Sequence, residues 1–392
     1  MFSTKIAAVS YADPWSLPLA QRFNMLLGGK RRVAYFYESA NNSTFRYRAY
    51  NMVQVLNREN CEQGGVECSG SYFFEEDLHY VDEIADTADV LVVCRSGYNQ
   101  KINQLITKFK IRRKAVYFDI DDFVFDTAYT HLVTNTLGLD QNDPRVWEDW
   151  FAMMGRMGQT LKMCDGAITT NQYLAERISA FSGLPVKVVP NFMNEEQLAL
   201  SARVFEEKRD NSFSGDGSIC VGYFSGSPSH NLDYAIVETA LAQVLERDAR
   251  VKLMVVGYIE PGPYLARFSD RVIRQPFHDY INLQGLIGQV DFNLMPLQNN
   301  MFTNCKSELK YFEAAVVGTL SIASPSYNYA AVIRDGENGY IARAHQWASV
   351  MERAIADMGT YARMAEVARA DALLKYAHYN QREKILDALG FA

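Results

Sequence analysis

The stretch "VGYFSGSPSHNLDYAIVETAL", Val221 to Leu241, reads as a strand, a loop of small residues and then a helix. Ser225, Gly226, Ser227 and Ser229 are small enough to let backbone N–H groups approach a ligand closely. The helix N-terminus behind them favours an anion, and a diphosphate is a natural guest. A plain strand-to-helix turn closed by an Asn or Asp cap fits the same residues, so this stretch alone leaves both readings open.

The unit belongs to a series. Around it lie the apolar runs "SICVGYFS" (218–225), "VKLMVVGY" (251–258), "DFNLMPL" (291–297) and "LSIASP" (320–325), with helical stretches such as "KSELKYFEAAVVG" among them. The first half carries a matching series: "RVAYFY" (32–37), "ADVLVVCR" (88–95), "KAVYFDI" (114–120), "DGAITTN" (165–171) and "VKVVPN" (186–191). Nearly continuous apolar strands alternating with helices predict parallel sheets covered on both faces. The expected fold is α/β, with two doubly wound Rossmann-like domains in tandem. Ligands bind beyond the carboxyl ends of such strands, so two facing domains make a cleft there. The 392 residues suit two domains. The charged run 194–218, ending in Ser, Gly and Asp, is the natural connection. The expected division is a first domain at 1–196, a linker at 197–217, a second domain at 218–375 and a terminal helix at 376–392.

Composition narrows the function. The net charge of −7 argues against a general nucleic-acid binder. Two basic clusters, "GGKRR" (28–32) and "KFKIRRK" (108–114), interrupt the acidic background. Either is a solvated turn before a strand, or a surface that meets anionic lipid or an anionic acceptor. The six Cys show no CxxC pair and no Cys/His metal spacing. Only Cys61 and Cys68 stand where a pair is plausible, and the start "MFSTKIAAVSYADPWS" lacks a signal-peptide core, which suggests a reducing cytosol. No apolar run approaches the roughly 18–20 residues of a membrane span.

Two further stretches carry chemistry. "AVYFDIDDFVFDT" (115–127) runs from a strand into Asp119, Asp121 and Asp122. Its Asp-x-Asp resembles the first motif of haloacid-dehalogenase-like phosphatases, with Asp119 as nucleophile, Asp121 as acid and Mg²⁺ between them. Against that, Asp122 stands where a small Gly is usual, and Asp291 lies at the start of its strand instead of the end. "NCKSELKYFEAAVVGTLSIASP" (304–325) reads as a helix with Lys306, Lys310 and Glu313 on one face. Cations match phosphates, and a carboxylate accepts hydrogen bonds from the vicinal hydroxyls of a ribose or sugar. A surface ion-pair ladder is the plain alternative.

From about residue 217 to 343 the chain resembles the C-terminal domain of GT-B fold glycosyltransferases, specifically retaining family 4-like enzymes. The motifs come in the family's order: "VVPNF" (188–192), "YFSGSPSHNLDYAI", "LMVVGY", "QVDFNLMPL", "YFEAAVVGTLSIAS" and "IRDGENGYIA". The resemblance implies a nucleotide-diphosphate sugar as donor substrate, no cofactor and no metal. It puts Glu313 on the ribose and Gly226 under the diphosphate, beside Ser225, Ser227 and His230. The family's phosphate-binding Arg and Lys fall on Gly226 and His230, and its earlier Glu on Cys305. Lys306, Ser307 and Lys310 are therefore expected to supply the phosphate contacts, as "CKSELKYFE" is similar to a surface-polysaccharide subgroup with Lys-Ser before this helix. In this reading Asp119, Asp121 and Asp122 are the catalytic lip of the first domain and accept sugar or acceptor hydroxyls. Arg46 and Arg48, in "STFRYRAYNM", contact phosphate or an anionic acceptor.

The resemblance implies retaining transfer of a hexose or deoxyhexose to a glycan or lipid-linked acceptor in O-antigen- or capsule-type surface polysaccharide synthesis. The expected location is the cytoplasm, with Lys108–Lys114 as the stretch that would touch the inner membrane face. A GT-B nucleotide-sugar epimerase and the Mg²⁺ phosphohydrolase stand as alternatives.

Overall fold

The computed structural model describes residues 1–2, 6–58, 67–226 and 231–391. Among these, two six-stranded parallel sheets organise the chain. The first contains β1 (Arg31–Phe36), β2 (Cys68–Phe73), β3 (Val90–Cys94), β4 (Ala115–Asp119), β5 (Gly166–Thr169) and β6 (Val186–Val188), in the order β2-β1-β3-β4-β5-β6. The second contains β7 (Ile219–Ser225), β8 (Val251–Gly257), β9 (Val272–Gln275), β10 (Phe292–Met295), β11 (Leu320–Ala323) and β12 (Tyr340–Ile341), in the order β12-β11-β10-β7-β8-β9.

Period-two alternation explains why these runs are sheet strands. On β1, Val33 and Tyr35 enter one buried core while Ala34 and Phe36 enter another on the opposite face. On β3, Val92 and Val93 divide in the same way. Both faces are apolar, so the runs read as continuous. Strand order reverses between β1 and β3 in the first sheet and between β7 and β10 in the second. Those two reversals open the crevices in which doubly wound sheets hold ligands.

The stretch expected as a bare connection is mostly a helix, Glu195–Asp210, capped by Asn194, whose side chain accepts from the Gln197 N–H. Its Leu200, Val204 and Phe205 are buried, and Ser201 Oγ donates to Gln284 Oε1 of the second domain at 2.9 Å. The chain returns beside this crossing: the Met193 N–H donates to the Tyr376 carbonyl at 2.9 Å. The long terminal stretch is two helices, Tyr361–Tyr376 and Arg382–Ala388, divided at an extended Ala377. The second lies on the first domain, where Asp387 meets Lys187 at 2.9 Å. No helix among the described residues is long and apolar enough to cross a membrane.

The basic run at 108–114 is largely paired with carboxylates. Lys108 and Arg112 pair with Asp82, Arg112 also with Asp86, and Lys110 with Asp165. Lys114 Nζ donates to the Ala85 and Asp86 carbonyls. These carboxylates offset part of the positive charge of the stretch.

Candidate donor site at the domain gap

The site begins with an irregular helix. After β1 the chain forms a π-helical turn over Arg46–Tyr50, then an α-helix over Asn51–Arg58. Such wide turns are uncommon and frequently mark functional sites. This one buries Arg46, Tyr47 and Arg48 together. Arg48 Nε and Nη2 donate to the two oxygens of Asp119, at 2.8 Å each, and its Nη1 donates to the Val189 carbonyl and to Asn191 Oδ1. Neither partner of this pair is more than 1% exposed.

That geometry corrects the reading of Asp119 and Arg48. Both were expected at the cleft surface, and both are spent on each other beneath it. A carboxylate locked in a buried bidentate pair is neither a sugar acceptor nor a phosphatase nucleophile. Arg46 is corrected likewise. It lies between the rings of Tyr47 (4.0 Å) and Tyr280 (4.3 Å) and donates to Gln197 Oε1 and the Asn42 carbonyl.

The other two lip residues face the gap. Asp121 accepts from Thr44 Oγ1 at 3.0 Å and from Arg95 Nη1 at 2.9 Å. Asp122 meets Arg95 at 3.1 Å and, across the gap, Lys306 Nζ at 3.0 Å. Burial raises the Asp122 carboxyl, but Lys306 and Arg95 outweigh it and hold the group below the usual carboxylate range. So acidic a group is a poor proton acceptor. Arg95, the residue after β3, holds Asp121 and Asp122 from a left-handed backbone position, φ 40°. Nothing in the local pattern marked it; it read as the end of a strand.

The second domain contributes the rest. Lys306 precedes the helix, which spans only Leu309–Ala315, so it does not share a helical face with Lys310 and Glu313 as the spacing predicted. It reaches the first domain instead. Ser307 Oγ accepts from Asn191 Nδ2 at 3.1 Å, and Asn171 Nδ2 donates to the Cys305 carbonyl at 2.9 Å. Glu313 is held entirely at one oxygen: Tyr47 Oη at 2.6 Å, Gln197 Nε2 at 3.1 Å and Arg46 Nη2 at 3.6 Å all meet Oε1. Oε2 has no partner among the described residues.

Lys310 is half-buried beneath the same crevice. Its ammonium lies 5.1 Å from the centre of the Tyr223 ring and has no hydrogen-bond acceptor among the described residues. Burial is the main reason its pKa is pushed down to about 8, with Asp233 and Glu313 opposing and Lys306 assisting. Ser225 ends β7 at the switch point, and Gly226 follows it, exposed and with no atom of the described residues within 4 Å of where a Cβ would stand. Ser227, Ser229 and His230 lie outside the described residues, as does Cys61.

The crevices of the two sheets therefore meet at one polar gap. The chain is similar to solved structures of the same architecture. HepE of Anabaena, solved with UDP-glucose, is 15% identical and superposes with a TM-score of 0.59 over 92% of this chain and 99% of its own. A glycosyltransferase from Rickettsia africae is 11% identical with a TM-score of 0.61, over 92% and 98%. WaaG, a glycosyltransferase involved in lipopolysaccharide biosynthesis, is 12% identical with a TM-score of 0.56, over 91% and 100%.

The fold is GT-B.

Residues 217–358, the greater part of the second GT-B domain, match the family model described as "Glycosyl transferases group 1". No curated protein matches the chain in sequence. The matched region holds β7 to β12, with Gly226, Lys306, Lys310 and Glu313 among its residues.

Proposed function

We propose that the protein is a retaining glycosyltransferase that takes a sugar from a nucleotide-diphosphate donor bound against the second domain. The observation that carries this reading is Lys310, a half-buried ammonium without a hydrogen-bonding partner among the described residues, set over the Tyr223 ring of β7, the strand that leads into the exposed Gly226. A diphosphate supplies the acceptors that such a cation lacks. Glu313 fits the ribose: its Oε1 is fixed by Tyr47, Gln197 and Arg46, which leaves Oε2 to accept from a diol. The group 1 family match over 217–358 and the likeness to HepE, solved with UDP-glucose, support the same reading.

In the proposed reaction the acceptor hydroxyl attacks from the face the phosphate leaves, and a phosphate oxygen takes its proton. Lys306 and Lys310 stabilise the departing charge. Asp121 orients hydroxyls, held in place by Arg95 and Thr44. The acceptor is a glycan or lipid-linked glycan of surface-polysaccharide type, and no metal or cofactor takes part. The phosphohydrolase alternative loses its nucleophile to Arg48. No particular contact favours the epimerase.

A melting-temperature scan against UDP-, GDP- and dTDP-sugars tests the proposal. One of them should raise the melting temperature, and Glu313→Ala should weaken that nucleotide on the order of tenfold. Absence of any shift, or an unchanged affinity in Glu313→Ala, rejects it.

A further inference from the structure

Among the described residues, every donor that meets the Glu313 carboxylate comes from outside the second domain. Tyr47 and Arg46 belong to the π-helical turn of the first domain, and Gln197 to the helix that crosses between the domains. All of them meet Oε1. The carboxylate itself is buried, 6% exposed, on the short helix Leu309–Ala315.

A Glu carboxylate turns about its last torsion with little resistance, and its two oxygens are chemically alike. Only unequal donors fix which oxygen faces which way. Here the donors are unequal. Burial is the main reason the Tyr47 phenol titrates far above its usual range, with Arg46 opposing and Glu313 adding to the shift. It therefore keeps its one proton and gives it to Oε1. Gln197 is fixed in orientation, because its Oε1 accepts from Arg46 Nη1 at 3.1 Å and its Nε2 is left to donate to Glu313.

The turn that carries these donors is itself packed on several sides. The Tyr47 ring stands edge-on to Phe312, the neighbour of Glu313, at 6.3 Å between centres. Arg46 lies over Tyr280, which stacks on the buried Trp15, and its Nε donates to the Asn42 carbonyl. A packed ring holds its hydroxyl in one place, which a group that aims another side chain requires.

We infer that Tyr47 is a positioning residue of the donor site. It turns the Glu313 carboxylate so that Oε2 faces the ribose diol, and the nucleoside end of the site is complete only while the first domain is joined to the second. The inference rests on the donor reading above. Selection for the ribose is then set by the first domain, although the carboxylate that touches the sugar belongs to the second.

The test is calorimetric titration of the full chain with UDP and GDP and with their 2′,3′-dideoxy forms, which lack the diol. The wild type should bind one ribonucleotide on the order of tenfold more tightly than its dideoxy form. Tyr47→Phe keeps the ring and removes the hydroxyl. It should shrink that preference to about twofold and leave the dideoxy form bound as in the wild type. Gln197→Met removes a second donor and should shrink the preference as well, so the inference stays open to refutation where Tyr47→Phe fails to fold. An unchanged preference in either folded variant overturns the inference. So does an equal loss for both forms of the nucleotide, the result of a merely structural Tyr47. A wild type that binds a ribonucleotide and its dideoxy form alike overturns the inference and leaves the diphosphate reading intact. A wild type that binds neither nucleotide removes the donor reading and this inference with it.

Discussion

Asp119 and Arg48 neutralise each other out of reach of water, so removing either strands a buried charge. Asp119→Asn is expected to destabilise the protein by about 3–5 kcal/mol, and Asp119→Leu with Arg48→Met to recover most of that loss. Urea denaturation of the three proteins checks this, and a catalytic residue would not be rescued by its apolar double. Lys310 behaves differently, because its ammonium is depressed to about 8 and a bound diphosphate raises it again. Nucleotide binding therefore takes up a proton above that value. Affinity should be flat at neutral pH and fall by about tenfold per pH unit above it. Calorimetric titration from pH 6.5 to 9.5 measures the slope, and Lys310→Met should flatten it. The sequence displayed all five charged candidates of the first domain, Arg46, Arg48, Asp119, Asp121 and Asp122. It did not say which pairs would be buried, because a pair such as Arg48–Asp119 joins positions separated by two strands.

At the scale of elements, the donor crevice depends on how β7 and β8 end together. Ser225 is in register with Gly257, which has φ 90°, and a Cβ there would stand 2.0 Å from the Ser225 carbonyl oxygen. Gly257→Ala is expected to cost at least about 1–3 kcal/mol and to displace the start of the donor loop. The melting temperature should drop, and nucleotide affinity should drop more than in Asp119→Asn. Elements were unevenly legible. β4 and β7 announced themselves through unbroken apolar runs. β2, "CSGSYF", was passed over because its small and polar residues are buried by helices on both faces and not by their own hydrophobicity. The π-helical turn was invisible, since its five residues read as an ordinary amphipathic start.

Across the whole molecule, the gap is bridged by groups from both domains. Lys306 meets Asp122, Tyr47 meets Glu313, Asn191 meets Ser307, and Gln298 Nε2 donates to the Thr136 carbonyl at 2.8 Å. Lys306 and Asp122 keep 24% and 19% of their side chains exposed, so water still reaches the pair and a diphosphate at the gap competes with Asp122 for the same ammonium. Asp122→Asn should speed amide exchange across 303–313 by up to about fivefold, and a bound donor should restore protection. Unchanged exchange would mean that the remaining bridges alone hold the two domains.

The sequence by itself determined two parallel sheets and the order of the motifs in the second domain. These follow from local period, small residues and motif order, which short stretches of chain carry. The tertiary structure alone decided that Asp119 and Arg48 are internal, that Lys306 spans the gap, and that Arg95 anchors the lip. It also gathered Tyr47, Gln197 and Arg46 around one oxygen of Glu313. Each of these depends on which strand ends lie side by side and on how much water the surrounding packing excludes, and neither quantity is written in the spacing of residues along the chain.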